Sequence, residues 1–139
     1  MIAFDADVLT DFFVGNTAVV MRSSQFSAKD LAIPIVVVEE VFRGRLLAIR
    51  RAEAAKSDAV IVRAYEMLQS SVQDFLSLTV LPYALSAEAL FRDWRSQRIR
   101  IGTHDLRIAA ICVAVSARIV TRNRRDFEKV PGLSFEIWT

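Results

Sequence analysis

The sequence predicts an α/β sandwich on a parallel-type sheet, and three observations carry that expectation. Short apolar runs at Ile2–Phe4, 31–36, 76–81 and Arg118–Thr121 read as strands, with stretches of 3.6-residue periodicity between them. The run at 31–36 is continuously apolar, the pattern of a strand buried on both faces. A chain of 139 residues is long enough for one ordinary domain with a sizeable core and too short for two, so a single domain spanning 1–139 is expected.

Taken in order, Ile2–Phe4 is a strand that ends at Asp5, and Val8, Leu9, Phe12 and Phe13 then fall at helical spacing, with Gly15 and Asn16 as the stop. A second short helix is predicted over 17–26. Asp30 leads into the strand at 31–36, where Pro34 predicts an early or edge position because proline cannot donate to a ladder. From Val38 the period becomes helical, with Val41, Leu46, Ile49, Val60, Ile61, Ala64, Met67 and Leu68 on apolar faces, which predicts two helices over 38–51 and 58–74 forming an arm. The strand at 76–81 is closed by Pro82. Ser86 offers an N-cap for a helix through Gln97, and Gly102 with Thr103 opens another through Ser116. Arg118–Thr121 reads as a strand, 125–130 as a helical turn, Pro131-Gly132 as a turn and 134–138 as a last strand.

Composition narrows the function. The apolar fraction is 53% and the mean hydropathy +0.32, which predicts a buried subunit or partner surface. The longest apolar runs, 31–38 and 108–115, are too short to span a bilayer. An acidic residue follows the first four, with no basic stretch before it, and the lone Cys112 cannot form an internal disulfide; both predict a reducing cytoplasm. Cys112 lies in an apolar run without a basic or histidine neighbour at nucleophile-like spacing, so it is expected to pack. Net charge is only +2, yet 15 of the 18 basic residues are arginine, and nine of those fall between Arg92 and Arg125. Such a set suits either a polyanion or a solvated face of salt bridges. The four glycines never cluster, which excludes a P-loop.

Four acids break the tie. Asp5 ends the first strand, Asp126 follows the strand near residue 120, and Glu40 and Asp105 are expected to open helices. Ligand sites in parallel sheets gather beyond the carboxyl ends of strands. Singly, Asp105 reads as a cap and Glu40 as a surface residue; Glu39 competes with Glu40, which is preferred as standing one turn before Gly44, taken as a close-packing glycine. Asp7 either supports the site or caps the first helix. Converging carboxylates demand a cation, and an oxygen-only set selects Mg²⁺ or Mn²⁺ over zinc. A cation held so supports phosphoryl hydrolysis. His104, with no serine or cysteine partner, is expected to be structural.

Four blocks then carry a resemblance: Phe4-Asp5-Ala6-Asp7-Val8-Leu9, Glu40-Val41-Phe42-Arg43-Gly44, the stretch 102–110 beginning Gly102-Thr103-His104-Asp105, and the stretch 121–133 beginning Thr121-Arg122-Asn123-Arg124-Arg125-Asp126. In order and spacing, over nearly the whole chain, they resemble the signature blocks of PIN-domain proteins, specifically VapC-type toxins. The resemblance implies a three-layer α/β/α sandwich with a central, mainly parallel sheet and a protruding helical pair. It implies a Mg²⁺- or Mn²⁺-dependent endoribonuclease, the toxin of a type II toxin–antitoxin pair. It further implies an RNA substrate, a cognate antitoxin protein in the groove and a homodimer. Carried over, the catalytic set is Asp5, Glu40, Asp105 and Asp126, with Asp5, Asp105 and Glu40 on metal, Asp7 and Asn123 in support, and Arg43, Arg107, Arg122 and Arg124 as RNA contacts.

Two rivals stand beside this reading. Asp5-Ala6-Asp7-Val8 also fits the opening signature of haloacid-dehalogenase-like phosphatases, where the first Asp is the nucleophile, although their later lysine and paired-acid block are not in place. The other rival is a non-catalytic module that keeps the fold and binds RNA or an antitoxin.

Overall fold

The computed structural model describes residues 1–138. Its strands are β1 (Ile2–Phe4), β2 (Leu31–Pro34), β3 (Thr79–Leu81), β4 (Arg118–Thr121) and β5 (Phe135–Ile137). They form one sheet in the order β3-β2-β1-β4-β5, and every pairing is parallel. The helices are α1 (Ala6–Phe13), α2 (Thr17–Ser23), α3 (Ile35–Ala55), α4 (Asp58–Leu76), α5 (Leu85–Ser96), α6 (Thr103–Ala114) and α7 (Arg124–Phe127), with a 3₁₀ turn at Ala28–Asp30.

Successive residues of a strand point to opposite faces. Every residue of β1 and β2 is buried, so both faces of the sheet centre are covered by helices. This is the expected three-layer sandwich. The core joins Phe4, Ile33, Ile119 and Val120 of the strands to Leu9, Val37, Leu106, Ile108 and Ile111 of the helices. Cys112 lies wholly inside it, and burial pushes its thiol up to about 12, which confirms packing.

The expected arm also forms, since α3 and α4 lie along one another and bury a separate small cluster of Ile49, Ala52 and Ala64, flanked by Ile61 and Leu68. Lys56 ends α3 in the left-handed conformation at φ 53°, which turns the chain directly into α4.

Five expectations need correction, one of them the N-cap read at Ser86: α5 begins at Leu85 after Ala84, which puts Ser86 inside the helix. The strand read over 31–36 stops at Pro34, and α3 begins at Ile35, so Pro34 is the residue preceding a helix. Its strand is interior, between β1 and β3, rather than an edge. A proline at the last position of a strand removes no donor from the ladder's middle, so the edge argument did not apply. Likewise the run read as strand from residue 76 is helix through Leu76, and β3 begins only at Thr79. Gly44 is not close-packed: a Cβ there would meet nothing within 4 Å.

Candidate metal centre

β1 is the point at which the strand order reverses, since β2 and β3 extend to one side and β4 and β5 to the other. Crevices open beyond the carboxyl ends of strands at such a point. Asp5 and Thr121 stand there, just past and at the ends of paired strands, with Phe4 in register with Val120 and the Asp5 amide donating to the Val120 carbonyl at 3.0 Å.

Asp5 is only 9% exposed and caps α1. One carboxylate oxygen accepts from the Ala6 amide at 2.8 Å, and the other from the Thr121 hydroxyl at 2.7 Å. Burial raises its pKa above the ordinary 3.8, these two bonds oppose the rise, and the charge of Asp7 adds to it. Asp7 itself is exposed, so the helix cap is Asp5 and Asp7 acts on the site through charge.

Glu40 enters from α3. Because the helix begins at Ile35, Glu40 lies in its second turn rather than at its opening, and its neighbour Glu39 is the more exposed of the two, with 47% of its side chain open against 26% for Glu40. Burial first, then the charges of Asp5 and Asp105, push Glu40 above its ordinary value, while His104 opposes the rise. Glu40 is thus the inward residue, as expected, but the reason is helical phase and not Gly44.

Asp105 sits in the first turn of α6, and its pKa is pushed up to about 6 by burial, then by Asp5 and by Asp126. Three carboxyl groups on three elements therefore lean on one another electrostatically. An ion pair with a cation is the arrangement that relieves them.

Asn123 joins the set. It caps α7, and its Nδ2 donates to Asp105 at 3.2 Å and to Asp126 at 3.0 Å. Asp126 is held below the ordinary carboxylate value, chiefly by that bond, and its other oxygen is 3.5 Å from Lys129. It lies at the rim, tied to Asp105 through Asn123.

Two residues left outside the predicted set touch it. Thr121, the last residue of β4, anchors Asp5 from 116 residues away, and no local signal in the sequence marks it. His104 faces Glu40 Oε1 with Nδ1 at 3.2 Å and Glu39 Oε1 with Nε2 at 3.5 Å. With Glu40, Gly102, Thr103 and Asp105 it lines an open cavity of about 310 Å³. His104 was expected to be structural for want of a serine or cysteine partner; the partners it has are these two carboxylates.

Among the described residues no group of three or more His, Cys, Asp or Glu side chains is drawn together closely enough to hold a cation by itself. Mg²⁺ needs only one or two carboxylates because it retains water. The donor chemistry therefore fits a hard divalent ion at Asp5, Glu40 and Asp105.

The four candidate arginines are already engaged. Arg43 pairs with Glu39 at 2.8 Å, Arg122 with Asp11, Arg124 lies 6.0 Å from the Phe135 ring centre, and Arg107 lies over Phe91 and Tyr83 at 4.9 and 5.9 Å.

No family model matches the chain. Among curated relatives, Ribonuclease VapC1 of Rickettsia felis is 36% identical over 59 residues, 40% of this chain and 44% of the relative. Ribonuclease VapC2 of the same organism is 31% identical over 78 residues, 52% of this chain and 58% of the relative. The matched regions span about half the length of these relatives. Two solved structures share the fold over nearly full length. VapBC2 from Rickettsia felis, bound to a promoter DNA fragment, gives a TM-score of 0.74 at 22% identity, covering 100% of both chains. DNA-bound VapBC from Salmonella typhimurium gives 0.75 at 20% identity, covering 99% of this chain and 98% of the other.

Proposed function

We propose that this chain, which has the fold of the VapC-type PIN proteins, is a divalent-metal-dependent endoribonuclease and the toxin of a type II toxin–antitoxin pair. The observation that carries the chemistry is the grouping of Asp5, Glu40 and Asp105 about the point where the strand order reverses, with all three carboxyls raised by burial and two of them, Glu40 and Asp105, also by the charge of Asp5. A divalent ion held by Asp5, Glu40 and Asp105 would make a bound water more acidic and supply positive charge against phosphate oxygens. The chain's own part is positional. Thr121 and the Ala6 amide fix both oxygens of Asp5, and Asn123 orients Asp105 and Asp126. Each oxygen of Asp5 accepts one hydrogen bond and keeps a lone pair for a cation, which suits a fixed ligand.

The substrate reading rests on the nine arginines between Arg92 and Arg125, a stretch of sequence that also holds Asp105 and Asn123 and favours a polyanion. The antitoxin reading rests on α3, where Phe42, Leu46 and Leu47 line an apolar groove of about 630 Å³ between Arg43 and Arg50. Exposed Leu76 and Leu85 add apolar surface suited to a second copy. No helix among the described residues is long and apolar enough to cross a membrane, and we place the activity in the cytoplasm.

The test is incubation of the protein with total RNA. Cleavage that needs Mg²⁺ or Mn²⁺ and disappears in folded Asp5→Asn protein is the expected result; full activity in EDTA refutes the reading. Tight RNA binding without turnover under any divalent metal would instead favour a binding module.

A further inference from the structure

Beside the acidic cavity lies a second one, of about 370 Å³, lined by Ile35, Val36, Glu39, Tyr83 and Arg107. Glu39 connects them, because its carboxylate also reaches His104 of the acidic cavity at 3.5 Å. A nucleotide strand whose phosphate lies among the acids would thus bring a neighbouring base to this slot.

The slot's chemistry is that of a base reader. Ile35 and Val36 give it apolar surface, and Tyr83 supplies an aromatic ring. Tyr83 is fixed by its hydroxyl, which donates to Glu88 at 2.6 Å; Glu88 is in turn held by Arg92 at 2.8 Å. Arg107 lies over the faces of Phe91 and Tyr83, which leaves its edge for hydrogen bonding, and its Nε is buried with no hydrogen-bond partner. Glu39 provides the opposite character, a carboxylate that only accepts; one oxygen already accepts from Arg43 at 2.8 Å, and each oxygen carries a second lone pair.

We propose that this slot binds guanine of the RNA next to the cleaved phosphate, the base stacking on Tyr83 while Glu39 accepts from its N1–H and N2 amino group and Arg107 donates to its O6 or N7. Guanine alone among the four bases sets two adjacent donors beside acceptors, so a carboxylate can accept from both at once while an arginine serves the other edge. Single-stranded bases are read in this way, by stacking plus hydrogen bonds to their edges. The inference rests on the ribonuclease reading and adds a sequence preference to it.

The test is cleavage of a randomised RNA pool with Mn²⁺, with both product ends sequenced, by the wild-type protein and by Glu39→Gln, Arg107→Lys, Tyr83→Ala and Tyr83→Phe. Guanine is expected at one position within a nucleotide or two of the cut, favoured roughly 5- to 150-fold, the range one good bidentate base contact provides. Inosine, which lacks the N2 amino group, should cut more slowly than guanine for wild type and equally with guanine for Glu39→Gln. Tyr83→Ala and Arg107→Lys should flatten the preference, and Tyr83→Phe, which keeps the ring, should retain it. A guanine preference unchanged in Glu39→Gln and Arg107→Lys, or a preference for another base, overturns the slot and leaves the nuclease standing. Absence of cleavage in every pool refutes the nuclease reading itself.

Discussion

Replacing Asp105 with asparagine should make the metal-free protein more stable at neutral pH while removing its response to divalent metal. A carboxyl held at about 6 instead of 3.8 penalises its ionised form. At about 1.36 kcal/mol per pKa unit the full penalty is about 3 kcal/mol, and screening at a half-buried group reduces it to about 1 kcal/mol. The sign follows from linkage. The folded pKa is raised, so stability is fully present below pH 3.8 and is lost as pH rises through about 6. Asparagine carries no such loss, and its amide oxygen can still accept the bond from Asn123. In EDTA at pH 7.5 the variant should therefore melt about 3–5 °C above wild type for a chain of this size, with the gain shrinking toward zero as pH falls to about 4. Added Mn²⁺ should raise the melting temperature of wild type and not of the variant, because only a ligand that binds the folded state shifts it. Calorimetry across pH reads both effects. A variant that melts below wild type at pH 7.5, or gains equally at both pH values, would show that Asp105 is not under the strain described.

Three further outcomes follow from the same geometry. Thr121→Val removes the hydroxyl that serves the buried Asp5 oxygen and should cost about 1.5–3 kcal/mol in urea denaturation; a loss below about 0.5 kcal/mol would detach Thr121 from the site. Glu40→Gln should weaken Mn²⁺ binding at least tenfold more than Glu39→Gln in titration calorimetry, and the reverse order would move the inward position by one residue. Ile49→Ala opens the small cluster of the arm and should cost about 2–5 kcal/mol, with hydrogen exchange rising in α3 and α4 more than in β1 and β4; uniform acceleration would make the arm part of the main core.

Much of this molecule was legible before its structure. Ile2–Phe4 and Arg118–Thr121 were read to the residue, because each apolar run is bounded by a change of composition. The boundary at Pro34 was not, since Ile35-Val36-Val37-Val38 is a β-branched run, and such runs fit a buried strand or a buried helix equally by periodicity. Burial of Val36, Val37 and Val38 against the core decided for helix, which no local propensity declares. The site divides the same way. Asp5 could be placed at a strand end and Asp105 near a helix start from the pattern alone, whereas Glu40 was preferred over Glu39 for a glycine that is not close-packed. Thr121 and His104 could not be placed, because their roles depend on contacts 116 residues away in one case and between two helices in the other.

The most direct test of the account is anomalous diffraction from a crystal soaked in Mn²⁺. A peak is expected between Asp5, Glu40 and Asp105, with Asn123 still bonded to Asp105, and it should be lost in Asp5→Asn crystals. A fully ordered site without manganese, or manganese bound only elsewhere on the chain, would contradict it.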